Sequence, residues 1–210
     1  MKLYDFEPAP NAQRVRVFLA EKGLEIPTEQ LNVREDAQFK EPFTTMNPFH
    51  CVPFLELDDG TVIAESMSIC RYLEEIHPEP ALFGRSPEQR AIIDMWMRRF
   101  ELDGFIPALH ALRNHVPFFA DRVIPGTRTD LPQLEQMVTR GKEMADVFFA
   151  RAEPHMAQHP FVAGAEFTAA DITAYFTLRL AKALEMDIAG PYPAIEKWFE
   201  KISARPAFKL

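Results

Sequence analysis

Residues 53–76, PFLELDDGTVIAESMSICRYLEEI, leave this chain few choices. Two short apolar runs, PFLEL and TVIA, flank Asp59-Gly60. An Asp-Gly pair between two such runs signals a hairpin, because its turn positions favour positive φ. From Ser66 the apolar spacing changes to a helical period, which predicts a helix over 66–77. A hairpin therefore feeds directly into a helix. Pro53 stands at the mouth of the first strand, where it removes a ladder donor, and Glu65-Ser66 occupies the junction of the second strand with the helix.

The preceding residues extend this pattern. KLYDF (2–6) reads as a strand, and Asn11 to Lys22 as a helix stopped by Gly23. PTEQLNV reads as a second strand, and the segment to about Met46 as irregular or weakly helical. The order is β-α-β-α-β-β-α. Beyond residue 78 the texture changes to long helical patterns alone, at about 88–115, 133–152, 169–186 and 193–203. HPEPALFGRSPEQ reads as the linker, with Ser86-Pro87-Glu88-Gln89 opening the first long helix as a capping box. Pro107 is expected to kink or break that helix. The expected division is thus residues 1–78 and 88–210.

Bulk properties narrow the function. Of 210 residues, 23 are Lys or Arg and 31 are Asp or Glu, a formal charge of −8. That balance argues against a general nucleic-acid binder, which needs a basic surface. No apolar run has the length of a membrane span, and the first residues do not form a secretory signal. Cys51 and Cys70 are the two cysteines. They give neither a disulfide framework nor a zinc spacing, so no metal and a reducing, cytoplasmic setting are expected.

The β-α-β-α-β-β-α order with Val-Pro before the third strand describes a thioredoxin-like domain. NPFHCVPFLELDDGTVIAESMSICRYL and PNAQRVRVFLAEKGL resemble the core signature and first helix of cytosolic glutathione transferases of bacterial type. The resemblance implies an α/β plus all-α fold: a thioredoxin-like N-terminal domain with a mixed four-stranded sheet, and an all-helical C-terminal domain. It implies a cis bond before Pro53. Glutathione would then lie as an extra strand along the backbone of Val52, with its γ-glutamyl carboxylate at Ser66 and the helix amides and its ammonium at Glu65. Gln38, Lys40 and His50 would reach its glycine end.

The family commonly places a Tyr, Ser, Thr or Cys before the first helix to hold the thiolate. That position falls on Ala9, which cannot donate, and Tyr4 lies within the first strand. Asn11 is the remaining donor and the catalytic candidate, although Asn at a helix start also reads as a cap. Cys51 stands where relatives carry a residue reaching the glycine carboxylate. It reads either as an unremarkable loop cysteine or as a partner for a mixed disulfide. Cys70 reads as core.

In the second half, Thr168 and Asp171 form a capping box with Phe167 and Ile172 at staple positions, similar to the buried box of the family's second domain. The resemblance further implies a pocket for a small hydrophobic electrophile, and helical periodicity points to Phe105, Leu109 and Arg113 as its lining. It implies a homodimer in which Asp103 approaches the partner's ligand, with Trp96, Met97 and Phe100 in the core or the dimer contact. The expected activity is glutathione conjugation, or reduction of a disulfide or peroxide. A glutathione fold kept for protein interaction or regulation, and more remotely a structural translation or stress-response subunit, are the alternatives.

Overall fold

The computed structural model describes residues 1–209 and divides into two compact units. The first comprises Met1–Pro80 together with Pro125–Thr127. The second comprises Ala81–Ile124 and Arg128–Lys209.

The first unit is a four-stranded mixed sheet in the order β2-β1-β3-β4 with helices. Its elements are β1 (Lys2–Asp5), α1 (Pro10–Lys22), β2 (Thr28–Gln30), a short α2 (Phe43–Met46), β3 (Phe54–Glu56), β4 (Val62–Ala64) and α3 (Ser66–Ile76). β1 runs parallel to β2 and antiparallel to β3, and β3 is antiparallel to β4. Of PTEQLNV only Thr28–Gln30 pairs with β1; the chain then winds through short 3₁₀ turns at Val33–Glu35 and Ala37–Phe39. Leu3, Val15, Phe18, Leu55, Ile69 and Leu73 are fully buried.

The hairpin differs in detail from the sequence expectation. Gly60 alone has positive φ (+85°). Its N–H donates to Leu57 O (3.0 Å) and Leu57 N–H to Thr61 O (2.8 Å). The loop is a turn over Asp58-Asp59 followed by a left-handed glycine, a three-residue connection rather than a two-residue one.

Lys22 is buried where α1 ends. It pairs with Glu74 and donates to the carbonyls of His77 (2.6 Å) and Pro80 (2.8 Å). A buried ammonium persists only when so satisfied, and here its partners hold the chain's exit from the first unit.

The second unit contains α4 (Pro87–Arg99), α5 (Ile106–His115), α6 (Glu135–Gln158), α7 (Ala169–Ala183) and α8 (Pro193–Ser203). α7 is its centre, with Ile172, Phe176 and Leu178 fully buried. The α-helical ladder of the first long helix is interrupted just before Pro107, which stands in the first turn of α5. Phe100–Phe105 forms a π-helical stretch between α4 and α5, and the wider turn tolerates the missing N–H. Thr177 Oγ1 on α7 lies 3.3 Å from Phe100 O, within reach of one loosened carbonyl. Gly104 permits that approach: a Cβ there would lie 2.6 Å from Thr177 Cγ2.

α6 departs from expectation, running through Pro154 to Gln158. Pro154 and Ala150, whose carbonyl loses its donor, are both exposed, so the carbonyl is open to solvent. α7 opens on the box at Thr168 and Asp171, with Asp171 Oδ2 accepting from Thr168 N–H (2.9 Å).

Candidate functional site

Sheet register brings the sequence-derived residues to one end of the first unit. Tyr4, Phe54 and Ala64 form a row across the sheet. β1 and β4 leave that row at their C-terminal ends, and β3 enters it from Val52-Pro53. β2 is parallel to β1, and Gln30 pairs with Asp5. The segment to α1, the Val52-Pro53 turn, the Glu65-Ser66 junction and the chain towards Gln38 therefore all emerge from the same edge.

Val52-Pro53 is cis. The Val52 side chain packs on the Tyr4, Leu31 and Phe54 cluster, whereas among the described residues none bonds its backbone N–H or C=O. Asn47, which sequence reading passed over, shapes the approach to this turn. It is buried, its Nδ2 donates to Cys51 O (2.8 Å), and its Oδ1 accepts from Phe49 N–H (3.3 Å). Asn-Pro at 47–48 was the only hint in the sequence. Cys51 is half-buried, and the tip Pro125–Thr127 covers it. A Cβ at Gly126 would lie 2.0 Å from Phe49 O and 3.0 Å from Cys51 Sγ.

Glu65 is exposed and holds φ +67°, ψ 119°. A non-glycine residue there is strained. Ser66, buried to 5% exposure, is the first residue of α3 rather than its cap. No side chain caps α3, and none caps α1. Two helix N-termini with amides left for an anion thus belong to the same end of this unit.

At α1 the cap residue is Ala9, with Pro10 next. Asn11 is therefore not a cap, as its residue type suggested, but the second helical residue. Its Oδ1 is buried and has no partner among the described residues. Tyr4 is excluded as a thiol donor: its hydroxyl donates to Glu56 Oε2 (2.9 Å), its ring stacks on Phe54, and burial followed by Glu56 raises its pKa. Burial likewise pushes the Cys70 thiol up.

Gln38 is buried with Oε1 unsatisfied, and His50 (φ +53°) packs its ring 4.9 Å from Phe39 with Nδ1 buried and unsatisfied. Lys40 is exposed. Buried polar atoms without partners are uncommon in native folds. Asn11, Gln38 and His50, each named from sequence, all carry one.

In the second unit, Phe105 is buried, Leu109 half-buried and Asp103 exposed. Arg113 donates to Arg122 O and stacks on Phe119 (4.7 Å), holding the segment after α5. Among the described residues no group of three or more His, Cys, Asp or Glu side chains is arranged for a metal, and no helix is long and apolar enough to cross a membrane.

Known proteins resemble this chain over its whole length. Residues 9–76 match the glutathione S-transferase N-terminal domain, and residues 108–206 the glutathione S-transferase C-terminal domain. A glutathione S-transferase domain-containing protein of Marinobacter aquaeolei superposes with a TM-score of 0.86 at 36% identity, over 100% of both chains. Glutathione S-transferase 2 of Saccharomyces cerevisiae is 29% identical over 100% of this chain and 88% of its own length. Maleylacetoacetate isomerase of Rattus norvegicus is 28% identical over 99% of this chain and 90% of its own.

Proposed function

The chain belongs to the cytosolic glutathione S-transferase family, and from that premise we propose that it binds glutathione at the sheet edge of its first unit and uses it as a cosubstrate against small hydrophobic electrophiles. The unengaged Val52 backbone carries this reading. An extended peptide completes its hydrogen bonds as an added strand does. Glu65 takes the ammonium, and Ser66 with the first amides of α3 takes the γ-glutamyl carboxylate. Gln38, Lys40 and His50 take the glycine end.

The thiol then lies towards the start of α1. A free thiol has a pKa of about 8.5, and lowering it by two units takes about 2.7 kcal/mol. One hydrogen bond to a charged acceptor supplies roughly 1.5–3 kcal/mol. Asn11 is the side chain we assign to that bond, assisted by the uncapped α1 amides. Calorimetric titration with glutathione, read alongside thiolate ultraviolet absorbance, tests this. Binding with thiolate formation supports the enzyme, and no binding removes the proposal.

Ala9, with no donor at the cap, favours a second reading in which glutathione binds without activation and the protein serves in interaction or regulation. Ala9→Ser separates the two. It is expected to leave glutathione affinity nearly unchanged, to raise the thiolate fraction, and to strengthen α1 by about 1 kcal/mol as a new cap. Unchanged thiolate absorbance would show that Ala9 is not the missing donor.

We also assign this chain a homodimer. Ile92, Met95, Leu102 and Ile106 lie exposed along the α4–α5 rod, and Met137, Met144 and Val147 along α6. Met137, Met144 and Val147 fall at seven- and three-residue steps on one face of α6, and such exposed apolar stripes mark association surfaces. Leu102→Glu with Met144→Glu should convert the species seen in sedimentation velocity from dimer to monomer. A wild-type monomer at micromolar concentration would refute the assignment.

A further inference from the structure

Four side chains stack where α6 ends. The Arg99 guanidinium carbon lies 4.9 Å from the Trp96 ring centroid. The His155 ring lies 4.1 Å from Trp96 at 29°, and the His159 ring lies 4.1 Å from His155 at 21°. His155 Nε2 is 2.9 Å from Val162 O, and His159 Nδ1 is 2.9 Å from His155 O. A carbonyl only accepts, so His155 carries its proton on Nε2 and His159 on Nδ1. The next protons must enter at His155 Nδ1 and His159 Nε2.

Val162 is held from both sides. Its carbonyl accepts from His155, and its N–H donates to Asp171 Oδ1 (2.9 Å). This peptide anchors the segment between α6 and the start of α7. The neighbouring charges are mostly positive. Arg99 faces the stack from α4, and Lys201 of α8 donates to Pro160 O (3.1 Å). Asp171 of α7, on the far side of Val162, is the acidic group bonded to this segment.

We propose that the Trp96–His155–His159 stack is a proton-sensitive latch that holds the Val162 segment while both imidazoles are neutral and releases it as the pair gains charge. Two stacked imidazolium rings repel, and Arg99 adds to the repulsion. Trp96 offsets part of it by attracting a cation over its ring face. Charge on His159 opposes charge on His155. Relief comes when His155 rotates out of the stack and gives up Val162 O. Burial, then the His159 and Arg99 charges, holds the His155 pKa below its ordinary 6.5 against the Val162 bond, which raises it. A base depressed in the folded state stabilises the fold above its unfolded pKa, and that stability is lost as pH falls.

The test uses the full chain, with urea midpoints and tryptophan emission at about pH 7.5 and about pH 5.5, either side of the ordinary histidine pKa. His155→Gln keeps an N–H donor for Val162 O but cannot be charged. We expect it to unfold at or below the wild-type midpoint at the higher pH and above it at the lower. We expect His159→Gln, which leaves the Val162 bond intact, to lose roughly half of the acid sensitivity and to move the His155 imidazole resonance titration upward. If His155→Gln does not fold, His159→Gln carries the test alone. Both variants following the wild-type pH dependence, or two histidine resonances titrating independently at the ordinary value, would overturn the latch.

Discussion

Asp171→Ala should weaken the helical unit by about 3–9 kcal/mol, because it strips three buried N–H donors of their acceptor at roughly 1–3 kcal/mol each. The carboxylate accepts from Val162 N–H, Thr168 N–H and Trp198 Nε1–H, all at 2.9 Å, and has no exposure of its own. It joins the segment after α6, the start of α7 and the inner face of α8. Asp171→Asn should cost about half as much. Its oxygen still serves Val162 and Trp198, while its NH2 faces the Thr168 donor. Urea denaturation followed by tryptophan emission measures both, and an alanine variant within about 1 kcal/mol of wild type would sink the argument. Burial raises the Asp171 pKa to about 6 against the three N–H donors and the Thr168 hydroxyl, which lower it. For an acid raised in the fold, the favourable contribution is complete below its ordinary 3.8 and declines as pH rises through about 6. Asp171 therefore stabilises on acidification, opposite in sign to His155. Loss of stability between pH 7 and 6 cannot be assigned to it.

Local chemistry explains which parts of this fold were readable in the sequence. The Ser86 box is written in residue types alone, and Gln89 N–H does reach Ser86 Oγ at 3.2 Å. The paired run around Asp59-Gly60 was equally plain, but the turn type was not. A single residue of slack, Asp58, decides between a two- and a three-residue loop, and strand register settles it. A proline's effect depends on what its neighbours can absorb, at Pro107 and Pro154 alike. A π-helical stretch accommodates one, and solvent at Ala150 the other. Asn11 read as a cap by type, yet Pro10 at the first helical position shifted the boundary and made Ala9 the cap.

At the candidate site the sequence names residues but not their state. Gln38 and His50 were named without any means of knowing that each leaves a buried polar atom unsatisfied. Burial depends on contacts between residues far apart in the chain. Asn47 was missed for the same reason, since its bond to Cys51 O needs the loop already folded. Backbone strain at Glu65 has no sequence signal at all, because a glutamate ordinarily avoids positive φ.

That strain makes Glu65 the most informative position in the first unit, because stability and binding should move in opposite directions there. Glu65→Gly removes the Cβ conflict at φ +67° and should stabilise the chain by about 1 kcal/mol or more, net of the entropy a glycine loses on folding. It also deletes the carboxylate proposed to face the glutathione ammonium. A hydrogen bond between charged groups is worth about 1.5–3 kcal/mol, so glutathione affinity should fall roughly 10- to 150-fold. Glu65→Gln holds the backbone conflict and removes only the charge. It should bind almost as poorly as the glycine variant with stability close to wild type. Calorimetry with glutathione and urea midpoints on the three proteins separate the effects. Were both variants to bind as tightly as wild type, Glu65 would be strained for some purpose other than holding the ligand, and the ammonium would need a different partner. Were the glycine variant less stable, the backbone at 65 would be held by contacts of the glutamate side chain that outweigh its strain. A residue kept in an unfavourable conformation at the exposed junction of β4 and α3 is what a binding site is expected to contain, since the fold alone would be better served there by glycine.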